Sequence, residues 1–243
     1  MSNHATLTAE AHRDLRVLTS RHADFGDNVM CCLTMPAEFR RVQNEYPILF
    51  RPTPERDGFA AYALFGFETG ENLFLDGGRW DARYCPLAMD IQPFLIGRPS
   101  PGSADRQVHI DLGSPRIARG EGQGDGMRVF DDLGRPSPYL ETMADKLGEL
   151  DAGYQASGAF YDALRRFNLL EPLALDITLE DGSNNRLIGF QVIDEDRLRA
   201  LDGAALGELH RDGHLMPVFM ALASLANISA LVARKNARRK AQA

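Results

Sequence analysis

The chain has little cysteine and almost no tryptophan, three Cys and one Trp in 243 residues. Cys31, Cys32 and Cys85 are too few and too unevenly spaced for a disulfide framework. No C-x-x-C pair offers a zinc or redox motif, so a reducing compartment is expected. Positive charge is also in deficit: Lys+Arg 27 against Asp+Glu 34 gives a formal charge of −7. That balance argues against a general nucleic-acid or anionic-membrane surface, though not against a local basic patch. The opening residues 1–10 lack the basic start, apolar middle and small-residue cleavage site of a secretory leader, and the expectation is a cytoplasmic protein. Internal repeats are missing, as are the G-x-S-x-G elbow, the P-loop and G-x-G-x-x-G. No recognisable catalytic motif remains, and no cofactor is implied.

What is present is enough apolar material, 44 % of residues, to build a core without covalent staples. From Leu15 to Phe130 short apolar clusters such as Pro47-Ile48-Leu49-Phe50 and Tyr62-Ala63-Leu64-Phe65-Gly66-Phe67 alternate with Gly, Pro and Asp, which reads as a strand-rich half. At Ser137 the period changes. Ser137 suits an N-cap with Pro138 in the first turn, and Leu140, Met143, Leu147, Leu150, Tyr154, Tyr161 and Leu164 keep helical spacing, with Gly148, Gly153 and Gly158 as expected break points. Leu173, Leu175, Ile177 and Leu179 alternate, as do Ile188, Phe190 and Val192. The turn residues Asp181-Gly182-Ser183-Asn184-Asn185 between them predict a β-hairpin. Asp194 suits the cap of a short helix, and Leu215 to Ala233 predicts one longer apolar helix with a basic end. The fold class expected is α+β: a strand-rich N-terminal half with antiparallel sheet and a helix-rich C-terminal half containing one hairpin. No linker separates the halves, so one domain is expected, with residues 1–12 and 236–243 as loose termini.

Recognition chemistry is densest between Glu71 and Phe94. Trp80 and Tyr84 pair apolar bodies with polar tips, and Arg79 or Arg83 could fork onto a carboxylate or phosphate. Glu71, Asn72, Trp80, Arg83 and Tyr84 are therefore the candidate residues for binding a ligand or partner. The competing reading of the same residues is an aromatic core cluster with arginines reaching out to water.

Here the order of short motifs resembles a known family. Pro36-Ala37-Glu38-Phe39, Glu45-Tyr46-Pro47-Ile48, Gly70-Glu71-Asn72-Leu73-Phe74, Gly78-Arg79-Trp80, Tyr84-Cys85-Pro86 and Pro93-Phe94 follow one another as in SapC proteins. Phe130-Asp131-Asp132-Leu133-Gly134-Arg135-Pro136-Ser137 and Gly189-Phe190-Gln191-Val192-Ile193-Asp194 extend the likeness to roughly Arg13 to Lys235. The resemblance implies an accessory role near bacterial surface-layer or exported proteins, and it brings no catalytic residues. The leading expectation is a non-enzymatic protein that binds a protein or peptide partner. The alternative is an enzyme or small-molecule sensor, with Trp80 and Tyr84 stacking a ligand and Arg83 holding an anion.

Three further features carry weaker expectations. His210 and His214 have i, i+4 spacing, but residue 211 is Arg, no third ligand is evident and Gly213 ends the helix, so no metal site is expected. Alternating Gly120, Gly122, Gly124 and Gly126 read as a surface loop, because Glu121 and Asp125 would repel a phosphate. Leu215 to Ala233 carries no formal charge, yet Pro217, Ser224, Asn227 and Ser229 lower its hydrophobicity, and a buried helix is expected in place of a membrane span.

Overall fold

The computed structural model describes residues 3–53, 58–97, 106–118 and 126–242, so Gly120, Gly122 and Gly124 lie outside the described residues. The fold is α+β with antiparallel strand pairing, strand-rich early and helix-rich late. Two compact units share the chain. One comprises residues 1–28, 77–80 and 87–152, the other 29–76, 81–86 and 153–243.

The first unit is built on a three-stranded sheet in which Gln107–Asp111 lies between His4–Thr6 and Phe94–Gly97. Residue His4 faces Asp111 and Phe94 faces Ile110, both antiparallel. Met127–Arg128 pairs with Arg16–Val17. Val17, Phe94 and Ile110 of these strands, with Val129 just past Arg128, meet Leu140, Met143 and Leu147 of the helix that starts at Pro138. Ser137 caps that helix as expected, its hydroxyl accepting from the Leu140 amide at 3.2 Å.

The helix does not break at its glycines: Pro138–Arg166 runs 29 residues without interruption. The expected stop fails because Gly148 and Gly158 sit in open surroundings, where a missing Cβ costs only propensity. At Gly153 the absent Cβ is instead required, since it would fall 2.6 Å from Sδ of Met35, inside the second unit.

The second unit is a five-stranded antiparallel sheet ordered Leu170–Thr178, Asn184–Ile193, Ile48–Pro52, Phe59–Leu64 and Cys31–Thr34. The hairpin expected from 173 to 192 forms its first two strands, with a register irregularity between Leu173 and Leu175. Phe39, Phe50 and Phe160 pack ring against ring beneath it at centroid separations of 6.0 to 6.5 Å. Asp194 caps Glu195–Ala200 by accepting from the Arg197 amide at 2.9 Å.

The single apolar helix expected from Leu215 is two helices, Leu215–Ser224 and Asn227–Gln242. Leu225 keeps right-handed helical angles, and i to i+3 bonds from Leu225 to Leu222 and from Ala226 to Ala223 tighten the junction into a 3₁₀-like turn. Its polar residues explain the turn. Ser224 is fully buried, accepts from the Ile48 amide at 2.8 Å and donates to the Ala221 carbonyl at 2.5 Å. Asn227 donates to the Gln43 carbonyl at 2.7 Å.

Candidate functional site

In the second unit three of the short motifs converge. Glu38 is 2 % exposed, and its carboxylate accepts from the Thr34 hydroxyl at 2.7 Å and from the Tyr84 hydroxyl at 2.6 Å. A buried carboxylate must be fully satisfied, because an unpaired one would forfeit its hydration. Tyr46, wholly buried, donates its hydroxyl to the Tyr84 carbonyl, and its ring packs 4.7 Å from Phe74 and 5.3 Å from Phe65. One residue back, the Glu45 carboxylate accepts the Arg83 amide at 2.9 and 3.0 Å. The Arg41 guanidinium covers the Tyr84 ring at 4.9 Å.

The cysteines flank this cluster. Burial raises the Cys32 thiol well above its ordinary range, and the charges of Glu38, Cys85 and Cys31 push it the same way. Burial also raises Cys31, with Arg51 opposing. Burial therefore disfavours the thiolate, the nucleophilic form, at both positions.

A second set of residues ties segment 66–75 and Asp81 to the C-terminal helix. Glu71 accepts the Phe67 amide at 2.7 Å, closing a turn in which Gly70 has φ +77°. Gly66 admits this turn, since a Cβ there would lie 2.7 Å from the Glu71 carbonyl. Asn72, completely buried, accepts the Phe74 amide at 2.9 Å. Lys235, 3 % exposed, reaches Glu68 at 2.7 Å and Glu71 at 3.1 Å. Arg238 donates to the carbonyls of Asn72 and Leu75 at 2.9 and 2.8 Å, and Arg234 pairs with Asp81 at 2.6 Å and covers the Phe74 ring at 4.4 Å. Beyond them Arg239 and Lys240 reach Asp181 and Glu180 at 2.6 and 2.5 Å. The basic end of the sequence is therefore spent largely on internal pairs.

The five candidate residues fall into different settings. Glu71, Asn72 and Tyr84 make the internal bonds above. Arg83 is exposed, and no bond of its guanidinium is seen among the described residues. Trp80 is half-buried and belongs to the first unit, in the short strand Arg79–Trp80. His210 lies in the last turn of one helix, Gly203–Arg211, whereas His214 precedes the next and packs against the Phe160 ring at 5.8 Å. Gly213, at φ +76°, makes the turn between them, so the two imidazoles share no helical face. No group of three metal-ligating side chains occurs among the described residues.

Sequence reasoning missed two features. In the first unit Arg116, 1 % exposed, grips both oxygens of fully buried Asp27 at 2.5 Å and donates to the Leu18 and Ser20 carbonyls. Arg21 continues the chain of charges to Asp90 at 2.5 Å, and Lys146 completes it at 2.5 Å. Arginines 95 residues apart in sequence give no local signal of this network.

The other missed feature lies in the C-terminal helices. Leu198, Leu206, Phe219, Leu222 and Ala223 line an open groove together with Glu195 and Arg199. Those two charges pair with each other at 2.7 Å, and the remaining lining is apolar. Phe219 is 50 % exposed and neighbouring Met216 56 %. Residues 215–241 are long and apolar enough to cross a membrane by length and composition, yet only 28 % of their most apolar stretch is buried.

The SapC family profile matches residues 7–231. The chain belongs to the SapC family. No curated protein matches it significantly, and no solved structure does. Within this SapC chain the motifs that carry the likeness have a physical meaning. Glu38, Tyr46 and Tyr84 come from three separate motifs and form one hydrogen-bonded cluster, so the family pattern records how this unit closes.

Proposed function

We propose that this SapC-family chain acts by binding a protein or peptide partner and not by turning over a substrate. The observation that carries the reading is the open apolar groove of Leu198, Leu206, Phe219, Leu222 and Ala223. Its two charged lining residues, Glu195 and Arg199, pair with each other, and the other lining residues are apolar, which suits an apolar segment better than a polar substrate. Exposed aromatic and aliphatic side chains on packed helices suit an apolar segment of another polypeptide.

The setting is an accessory role in surface-layer or exported-protein biogenesis, in the cytoplasm. Nucleic acid is a poor partner, given the charge of −7 and the internal pairing of the C-terminal cations. Stable membrane insertion is disfavoured because Lys235 and Arg238 pin the last helix to segment 68–75. Withdrawing them would strand buried charges and carbonyls.

Quantitative affinity purification of the tagged full chain from its own cells, compared with Phe219→Asp, tests this reading. A partner retained by the parent chain and lost by the variant, at unchanged melting temperature, is the expected result. Equal retention by both proteins would remove the groove from the function.

A further inference from the structure

Arg51 is the only charged residue in three neighbouring strands of the second unit, Cys31–Thr34, Ile48–Pro52 and Phe59–Leu64, and it sits on the middle strand of the five. Its guanidinium lies 3.8 Å from the ring centroid of Phe190 and 5.6 Å from that of Tyr62. Phe190 is 2 % exposed, so the stack rests on the core, while Arg51 itself is half-buried. No hydrogen bond or ion pair of this guanidinium is seen among the described residues. Arg116 and Lys235, both buried, are paired instead, the one with Asp27 and the other with Glu68 and Glu71. A cation that gives up hydration recovers it from acceptors or a counter-charge. The rings return part of it through cation–π attraction, but they meet the flat face of the guanidinium and leave its N–H edge unspent. Shielding Phe190 from water would need only an aliphatic stem.

We infer that Arg51 anchors a binding site for a carboxylate carried next to an apolar group. A guanidinium fixed against aromatic rings presents parallel donors in a set direction, the geometry that a carboxylate accepts through both oxygens. Stacking also removes in advance much of the side-chain freedom that a loose arginine would lose on binding. The strand register supplies the apolar flank. Leu33 faces Tyr62 and Tyr62 faces Leu49, so these residues share one side of the sheet with Arg51, two positions beyond Leu49. Leu33 is 46 % exposed and Tyr62 half-buried, which sets apolar surface open to water on the side of the sheet where the donors lie. No acidic side chain in these strands competes for the guanidinium. The C-terminal carboxylate of a polypeptide ending in an aliphatic residue and a free aliphatic acid both present this chemistry. None of the residues lining the helical groove belongs to these strands, so the site does not depend on partner capture through Phe219.

Nuclear magnetic resonance of the nitrogen-15-labelled full chain tests the site with three probes at millimolar concentration: acetyl-glycyl-glycyl-leucine, its C-terminal amide, and isocaproate. The Nε–Hε resonance of Arg51 and the Leu33 amide should shift saturably with the peptide acid and stay in place with the amide. Arg51→Lys, which keeps the charge and the stem but not the fork, should weaken that binding at least about tenfold, followed on the Leu33 amide, with little change in melting temperature. Phe219→Asp should leave it unchanged. Isocaproate binding as tightly as the peptide acid would make the ligand a free acid, and binding of the peptide acid alone would make it a polypeptide terminus; the carboxylate site stands in both cases. Equal shifts with acid and amide, undiminished binding by Arg51→Lys, or no shift with any probe would overturn the inference and leave the stack as packing. The comparison of acid with amide uses the unaltered chain, so it holds even if Arg51→Lys fails to fold.

Discussion

Glu38 shows how one buried carboxylate organises its neighbourhood. Two hydroxyls, from Thr34 and Tyr84, supply what water would otherwise give it, and the Tyr84 carbonyl in turn receives Tyr46. Removing a donor leaves part of a buried charge unsatisfied, which costs more than an average hydrogen bond. Tyr84→Phe should therefore lower stability by about 1.5 to 3 kcal/mol in urea unfolding, with Arg83→Ala as the exposed neighbour costing under about 0.5 kcal/mol. Equal effects would mean the Tyr84 hydroxyl is not holding Glu38. Glu38 was visible in the sequence only as part of a family motif, since a lone glutamate in Pro36-Ala37-Glu38-Phe39 has the composition of a surface turn. Its burial depends on Tyr84, 46 residues away, and no local pattern encodes that meeting.

At the scale of elements, periodicity and capping were readable where a segment decides its own conformation. Ser137, Asp194 and the turn at Asp181 to Asn185 acted as the local chemistry requires. Glycine was misleading in the long helix because breaking depends on surroundings as well as propensity. Gly148→Ala and Gly158→Ala should each raise stability by roughly 0.5 to 1 kcal/mol, whereas Gly153→Ala should gain nothing, its Cβ meeting Met35. Thermal melts of the three variants check this; a gain at Gly153 equal to the others would contradict the packing.

The C-terminal helix adds a pH dependence. Its hydrogen bond to Lys235, helped by Asn185, lowers Glu68 below the usual carboxylate range. The Ser183 hydroxyl and amide, then Arg239, lower Asp181 to about 2. Carboxyls whose folded value is depressed stabilise above their unfolded range near pH 4 and lose that contribution as pH falls through the folded value. Amide protection in residues 227–242, normalised for intrinsic exchange, should thus fall between about pH 5 and pH 2 ahead of the central strands. Simultaneous loss in helix and sheet would argue that these pairs do not hold the helix.

For the whole molecule, the fold class and its hairpin were legible, and the assembly was not. Sheet order joins Asn184–Ile193 to Ile48–Pro52, where Gln191 faces Phe50 across more than half the chain. Each unit is also assembled from three sequence segments, so continuous stretches such as 71–94 contribute to both. That is why Trp80 and Tyr84, four residues apart, belong to different units. The groove escaped sequence reading for a related reason: Leu198, Leu206 and Phe219 lie on three helices, and only their packing leaves an apolar face open to water. The central claim is that this face takes a polypeptide, and photocrosslinking tests it most directly. A benzoylphenylalanine replacing Phe219 in the full chain, irradiated in its own cells, should yield a discrete protein adduct, with none from the same group replacing Ile188. Adducts from position 188 with none from position 219 would contradict the account.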